Sequence, residues 1–183
     1  MKRFFYLCLI GIFSCVITQT VFAQKPVLAN TKTTFSKGSW QIGLKDGYGS
    51  SPILGNRNTA QLTAGYYVAN RLLIGLAGSY TRELSEYVIN RNLVSLGPLV
   101  RYQFISGRIS PYAELSYQLG RRGTNTEQLV SFTPGLSIGL LAGLRLDLSY
   151  NFQYSHLDLG YNLFGEASRQ PQIGISYLIK SRQ

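Results

Sequence analysis

The chain carries few of the residue types that do chemistry. Among 183 residues there is one histidine and there are two cysteines. Cys8 and Cys15 both lie in an apolar N-terminal stretch. If that stretch is a leader that is removed, no thiol remains for a zinc, haem-thiolate or iron–sulfur site, and none for a disulfide framework. No cofactor or metal is therefore expected. The histidine, His156, follows Ser155, with Asp158 two positions on and Glu166 and Ser168 further along. Nucleophilic catalysis needs serine and base within hydrogen-bond reach. On an extended strand Ser155 and His156 point to opposite faces, so they cannot form a dyad. Asp158 shares the histidine's side and could at most orient it. The reading is a solvated histidine and no enzyme. The Gly135-Leu136-Ser137-Ile138-Gly139 run is not a phosphate loop, because no helix pattern follows it.

A second group consists of charges embedded in alternating sequence. Arg101, Glu114, Arg145 and Asp147 all fall on the polar side of apolar rows. Two cations and two anions cancel, and buried charges are tolerated when paired. The expectation is a neutral network in which Arg101 and Glu114 are diagonal neighbours and Arg145 and Asp147 lie at i, i+2.

The elements that hold these residues are strands. From Gly38 onward the period is two. Trp40, Ile42 and Leu44 alternate with Gln41, Gly43 and Lys45, and Leu144, Leu146, Leu148, Tyr150, Phe152 and Tyr154 with Arg145, Asp147, Ser149, Asn151, Gln153 and Ser155. Further rows run through Ala60–Tyr66, Leu72–Tyr80, Val94–Phe104, Ala113–Leu119, Val130–Leu140 and Ile173–Ile179. That makes eight. Short turns are predicted at Ala69-Asn70-Arg71, Ser106-Gly107 and Leu141-Ala142-Gly143, with Asn70, Gly107 and Gly143 suited to left-handed backbone. Longer polar loops are expected over 49–58, 82–91, 120–128 and 156–170. A two-residue turn at Ser106-Gly107 would set Arg101 opposite Tyr112. Pro98, Pro111, Pro134 and Pro171 each remove a ladder donor, and the sequence alone offers no account of them.

Eight strands with short turns at one end and long loops at the other predict an eight-stranded antiparallel up-and-down transmembrane β-barrel over residues 38–183. A soluble barrel would keep its apolar face inside. Charge decides against it: only 14% of the chain is charged and 45% is hydrophobic, whereas a soluble surface has roughly 25–35% charged residues. The polar face holds Lys45, Arg101, Glu114, Arg145, Asp147 and Lys180 among small neutral groups, which suits a filled lumen. Aromatic girdles reinforce the assignment. Tyr80, Tyr117, Tyr150, Phe152 and Tyr154 gather toward the outer rim, and Trp40, Tyr66, Tyr102, Phe104 and Tyr177 toward the inner one.

The ends of the chain place it in the cell envelope. Met1-Lys2-Arg3, an apolar run from Phe4 to Ile17 and Val21-Phe22-Ala23 before Gln24 make residues 1–23 a secretory signal peptide, cleaved near Ala23. Residues 24–37 form a flexible polar leader on the periplasmic side. Without Lys2 and Arg3 the net charge of +10 falls by two, and most of the rest concentrates there, with Lys32, Lys37, Arg71 and Arg108 forming a basic rim, while Lys45 and Asp46 offset each other. Outer-membrane lipids are the expected partners. The near-neutral loops argue against nucleic-acid binding, and the barrel is expected to be a monomer.

Two segments carry a resemblance. Val94-Ser95-Leu96-Gly97-Pro98-Leu99-Val100-Arg101-Tyr102-Gln103-Phe104, followed by Ile109-Ser110-Pro111-Tyr112-Ala113-Glu114, resembles small outer-membrane β-barrel domain proteins of the Bacteroidetes type, similar in architecture to OmpX- and OmpA-like barrels. Gln172-Ile173-Gly174-Ile175-Ser176-Tyr177-Leu178-Ile179 resembles the C-terminal signal read by the barrel-assembly machinery, although four residues follow it. The resemblance implies integration in the outer membrane of a Gram-negative cell. It implies a structural or surface-interaction role, with a narrow channel or solute carrier as the alternative. Some such barrels modify lipid A through His, Ser and an acid at the outer rim, and the His-x-Ser arrangement is missing here.

Overall fold

The computed structural model describes residues 35–51, 55–84, 92–122, 125–158 and 163–179. The predicted signal peptide, most of the leader and Lys32 lie outside them. Eight antiparallel strands follow one another in order: β1 (Trp40–Ser51), β2 (Gly55–Ala69), β3 (Leu72–Leu84), β4 (Asn92–Gln103), β5 (Ile109–Arg122), β6 (Asn125–Gly139), β7 (Leu144–Asp158) and β8 (Leu163–Ile179). β8 pairs back onto β1, which closes the sheet into a barrel without an edge.

The pairing register sets the geometry. Starting at Trp40, the ladder passes through Tyr66, Ile74, Val100, Leu115, Phe132, Phe152 and Arg169 and returns to β1 at Ser50, ten residues from its start. With a rise of about 3.3 Å and strands about 4.8 Å apart, that stagger tilts the strands by about 40°. An even stagger also preserves the faces, so every inward row stays inward around the closure. Outward positions are overwhelmingly apolar, from Trp40, Ile42 and Leu44 on β1 to Ile173, Ile175 and Tyr177 on β8. Inward positions are buried and mostly Ser, Thr, Gln or charged. A sheet that is apolar outside and polar inside is a membrane-spanning barrel, since exposing that wall to water would forfeit its burial.

Three expectations change. The β4–β5 connection is longer than two residues: Phe104 N donates to Pro111 O at 2.9 Å, and Arg101 stands opposite Glu114, not Tyr112. The slip is two residues, so side-chain faces are unaffected. At the β2–β3 turn the left-handed residue is Arg71 (φ 70°), not Asn70, whereas Gly143 takes φ 84° as expected. The strands also run well into the regions read as loops, with β8 starting at Leu163. Polar residues extend a ladder that neighbouring strands have already aligned, even where the apolar row has ended.

The prolines find a common solution. Ladder pairing between β4 and β5 skips from Leu96–Leu119 to Leu99–Ser116, between β6 and β7 from Phe132–Phe152 to Gly135–Ser149, and between β8 and β1 from Gly47–Gln172 to Ser50–Arg169. Pro98, Pro134 and Pro171 sit in those gaps, and register is kept across each. By that register each proline faces an outward tyrosine: Tyr117, Tyr150 and Tyr48. Pro111, near the start of β5, stands across from Phe104. Each proline leaves the ladder on its other side continuous. The missing donor therefore falls at a position opposite an outward-facing aromatic residue. The strands stay close there, since a Cβ on Gly97 would meet Tyr117 O at 2.0 Å.

Candidate functional site: the charged lumen and its inner stopper

The lumen centre is built around Glu114. Its carboxylate accepts from Lys45 Nζ at 2.9 and 3.0 Å and from Arg101 Nε at 2.8 Å. Arg101 Nη1 also reaches Asp147 Oδ2 at 3.2 Å. β1, β4, β5 and β7 thus contribute one side chain each to a cluster of two cations and two anions, all 2% exposed or less. Tyr112 supplies a floor, with Arg101 Cζ 4.4 Å and Lys45 Nζ 5.6 Å from its ring centre. Two glycines make room. Gly135 stands opposite Tyr112 and Gly174 opposite Lys45, where an added Cβ would meet Tyr112 Cζ at 2.6 Å and Lys45 Cγ at 2.7 Å.

Of the four residues expected to form the network, Arg101, Glu114 and Asp147 come together. Arg101 and Glu114 are directly opposed rather than diagonal. Arg145 does not pair with Asp147. Its guanidinium turns to the inner end, donating to Ser137 Oγ (2.8 Å), Ser137 O (2.9 Å) and the Gly107 and Arg108 carbonyls (3.2 and 3.3 Å). Backbone carbonyls at a turn offer a positive group a fuller shell than one shared carboxylate. Lys45 takes its place in the cluster. Its position in the polar row of β1 marked it as inward, but matching it with Asp46 hid its role, because Asp46 points outward.

A residue outside the predicted barrel packs into the inner end. Phe35 is fully buried, its ring 5.6 Å from that of Tyr67 and 4.7 Å from the Arg145 guanidinium carbon. Phe35 O accepts from Arg71 N, Gly38 N donates to Tyr67 O, and Tyr67 N donates to Ser39 O. The end of the expected leader is therefore packed into the barrel mouth, where Phe35 and Tyr67 join Leu73, Ala77, Leu99 and Leu178 in one apolar cluster. A lone aromatic in a polar stretch was the available signal.

Above the charge cluster the lumen changes character. Ser79, Ser95 and Gln118 bond one another at 2.6 to 3.1 Å, and Thr59 bonds Thr81 at 3.0 Å. Arg57 donates to Ser168 Oγ and Gln153 Oε1. Gln61, Asn151, Gln170 and Gln172 are buried there, each with side-chain atoms lacking a protein partner. Among the described residues no group of three or more His, Cys, Asp or Glu is placed to hold a metal ion. Ser155 is buried and His156 half-exposed on the opposite face, so the two do not form a catalytic pair.

No protein-family model and no curated protein sequence matches the chain. Solved structures do. The chain is similar to Neisserial surface protein A, with a TM-score of 0.54 at 18% identity over 78% of this chain and 96% of that one. It is similar to the N-terminal β-barrel domain of Pseudomonas aeruginosa OprF, with a TM-score of 0.53 at 17% identity over 78% and 98%. It is also similar to the outer membrane enzyme PagL, with a TM-score of 0.57 at 14% identity over 72% and 97%. At these identities the likeness is one of fold: the small eight-stranded barrel of outer membranes, which hosts an enzyme in at least one case.

The predicted aromatic belts lie on the outward face. Trp40 and Tyr66 are 5.3 Å apart and Tyr102 and Phe104 5.5 Å apart at the inner level, and Tyr150 and Phe152 5.0 Å apart toward the outer level. Tyr80, Tyr117, Tyr154 and Tyr177 are exposed on the same face. Lys37, Arg71 and Arg108 sit together at the short-turn end, where Arg71 Nη1 donates to Phe104 O and Arg108 Nε to Gly139 O.

Proposed function

We propose that the chain is an integral outer-membrane protein of a Gram-negative cell, of the Bacteroidetes type suggested by its Pro98–Tyr102 and Pro111–Tyr112 segments. Its role in this reading is structural or surface-interacting and not enzymatic, with the lumen plugged by its own side chains. The observation that carries it is the Lys45–Glu114–Arg101–Asp147 cluster, which spans the lumen from β1 to β7 above the Phe35 stopper. Planar-bilayer recording tests the plug: the refolded protein is expected to show no steady conductance. Signal-peptide removal near Ala23, assembly through Gln172–Ile179, and contact of Lys32, Lys37, Arg71 and Arg108 with anionic inner-leaflet lipid belong to the same proposal. Each rim cation contributes about 1 kcal/mol at an anionic surface.

A second reading is a narrow path for small solutes. The unpartnered buried atoms favour it. Gln61, Asn151, Gln170 and Gln172 lie above the cluster and Gln103, Tyr112 and Ser176 at or below it, and buried polar groups without protein partners recruit water. Unitary conductance in the unaltered protein that changes size in Glu114→Gln or Phe35→Ala would favour this path.

A further inference from the structure

Three short turns share the inner end of the barrel, and their chemistry differs. The β2–β3 turn presents Asn70 and Arg71, and the β4–β5 turn Ser106, Gly107 and Arg108. A turn that meets water is expected to be polar in this way. The β6–β7 turn is Leu140-Leu141-Ala142-Gly143, without one polar side chain. Leu140 and Leu141 are 48% and 75% exposed. Leu144 stands opposite Tyr177 of the inner aromatic belt, so the tip lies beyond that belt, on its headgroup side. Its backbone makes few demands on water. Gly139 N donates to Arg108 O at 2.6 Å, Leu140 N and Leu141 N to Leu144 O at 3.0 and 3.4 Å, and Leu144 N to Leu141 O at 3.2 Å. Apolar side chains on a self-bonded turn enter a lipid interface at little backbone cost. Cations stand beside this edge. Arg108 is exposed, and its Nε donates to Gly139 O, at the base of the same turn, at 3.4 Å. Further round the rim Arg71 Nη1 donates to Phe104 O at 2.9 Å, next to the exposed Phe104 and Ile105. A guanidinium has five N–H donors in a planar fork, so each of these bonds orients the group and leaves most of its donors for another acceptor. Neither arginine takes part in an ion pair among the described residues.

We propose that the β4–β7 edge of the inner rim is a binding site for an anionic glycerophospholipid of the inner leaflet. Arg108 meets the phosphate, Arg71 adds a second cation on the neighbouring turn, and the Leu140–Leu141 tip lies among the acyl carbons nearest the headgroups. The ligand class follows from the pairing of features: an oriented guanidinium without a carboxylate partner, fixed to the base of an exposed apolar tip, complements a molecule with an anionic head and an apolar body. The inference rests on the reading of the chain as an outer-membrane barrel whose basic rim faces the inner leaflet. It sharpens that reading by assigning lipid selectivity to one edge. Lys37, whose backbone N donates to Asn70 Oδ1 at the β2–β3 turn, stands apart from the apolar tip and contributes only general attraction.

The test uses the mature chain, whose one tryptophan is Trp40. The reporter variant Trp40→Phe/Leu141→Trp is refolded into phosphatidylcholine vesicles containing a fixed fraction of lipid with brominated acyl chains, which quench tryptophan on contact. That lipid is either phosphatidylglycerol or phosphatidylcholine. Fluorescence from position 141 is expected to be quenched by both, with about a fivefold preference for phosphatidylglycerol. Arg108→Gln should bring the two lipids close to parity, and Lys37→Gln should leave the preference within about twofold of its starting value. Heat-modifiable gel mobility certifies that each variant is folded. A second reporter, Trp40→Phe/Ile175→Trp on the lipid-facing wall, separates the two levels of the argument. Absence of quenching at 175 overturns the barrel reading itself. Quenching at 175 without a phosphatidylglycerol preference at 141, or a preference that survives Arg108→Gln, overturns the site alone. Quenching at 141 by aqueous iodide and not by brominated chains would mean that the tip projects into the periplasm toward some other partner, and also overturns the site.

Discussion

The inner and outer halves of the lumen are lined by the same polar face of the same eight strands, yet they are held together differently. Near the inner end, ions of both signs share donors and acceptors, with Tyr112 beneath them and Phe35 packed into the mouth. In the outer half most of the lining is neutral serine, threonine and amide, with the charges Arg57 and Glu127 buried near its far end, and several amides have unpartnered atoms. The difference shows what charge density demands. A buried carboxylate must be surrounded by donors, and the two cations around Glu114 fit because Gly135 and Gly174 leave space for Tyr112 and Lys45. Neutral amides tolerate water as a partner and can be scattered.

The largest expected effect breaks this contrast at its centre. Glu114→Ala leaves Lys45 and Arg101 facing each other without their shared anion, and should cost about 3–5 kcal/mol in lipid-refolding equilibrium. A cost no greater than that of an outer-lumen substitution would show that the cluster is hydrated and screened. Next in size is Phe35→Ala. Losing a fully buried ring from the inner cluster should cost about 3 kcal/mol, and added iodide should quench tryptophan at Trp40 no differently if the damage is confined to the lumen.

Lys45→Met is expected to be milder, about 1–3 kcal/mol, because Glu114 keeps its bonds to Arg101. A double-mutant cycle between Lys45 and Arg101 would expose the sharing, since removing either cation should make the other more costly to remove. The smallest effect belongs to the outer half. Gln170→Leu removes an amide with neither atom bonded to protein and should change stability by less than about 1 kcal/mol in either direction. A larger loss there would mean that ordered water makes the outer half as tightly coupled as the inner.

Alternation in eight rows, clearest along Trp40–Lys45 and Leu144–Ser155, was enough to place eight strands, to separate lipid face from lumen face, and to put Arg101, Glu114 and Asp147 inside. A period of two is a local property, and each strand states it alone. Partners are another matter. Lys45 and Glu114 are 69 positions apart on strands that are not neighbours, so they meet only once the sheet has closed with a stagger of ten residues. The β4–β5 turn could not be sized from Ser106-Gly107, because its length is set by Phe104 and Pro111 pairing beyond it. Closure also buried Phe35, the aromatic residue of the polar leader, in the inner mouth and left Asp46 on the outward face. Local pattern determined which way each side chain points. The closed, tilted barrel decided what it meets there, because only closure converts register into height and opposite sides into neighbours.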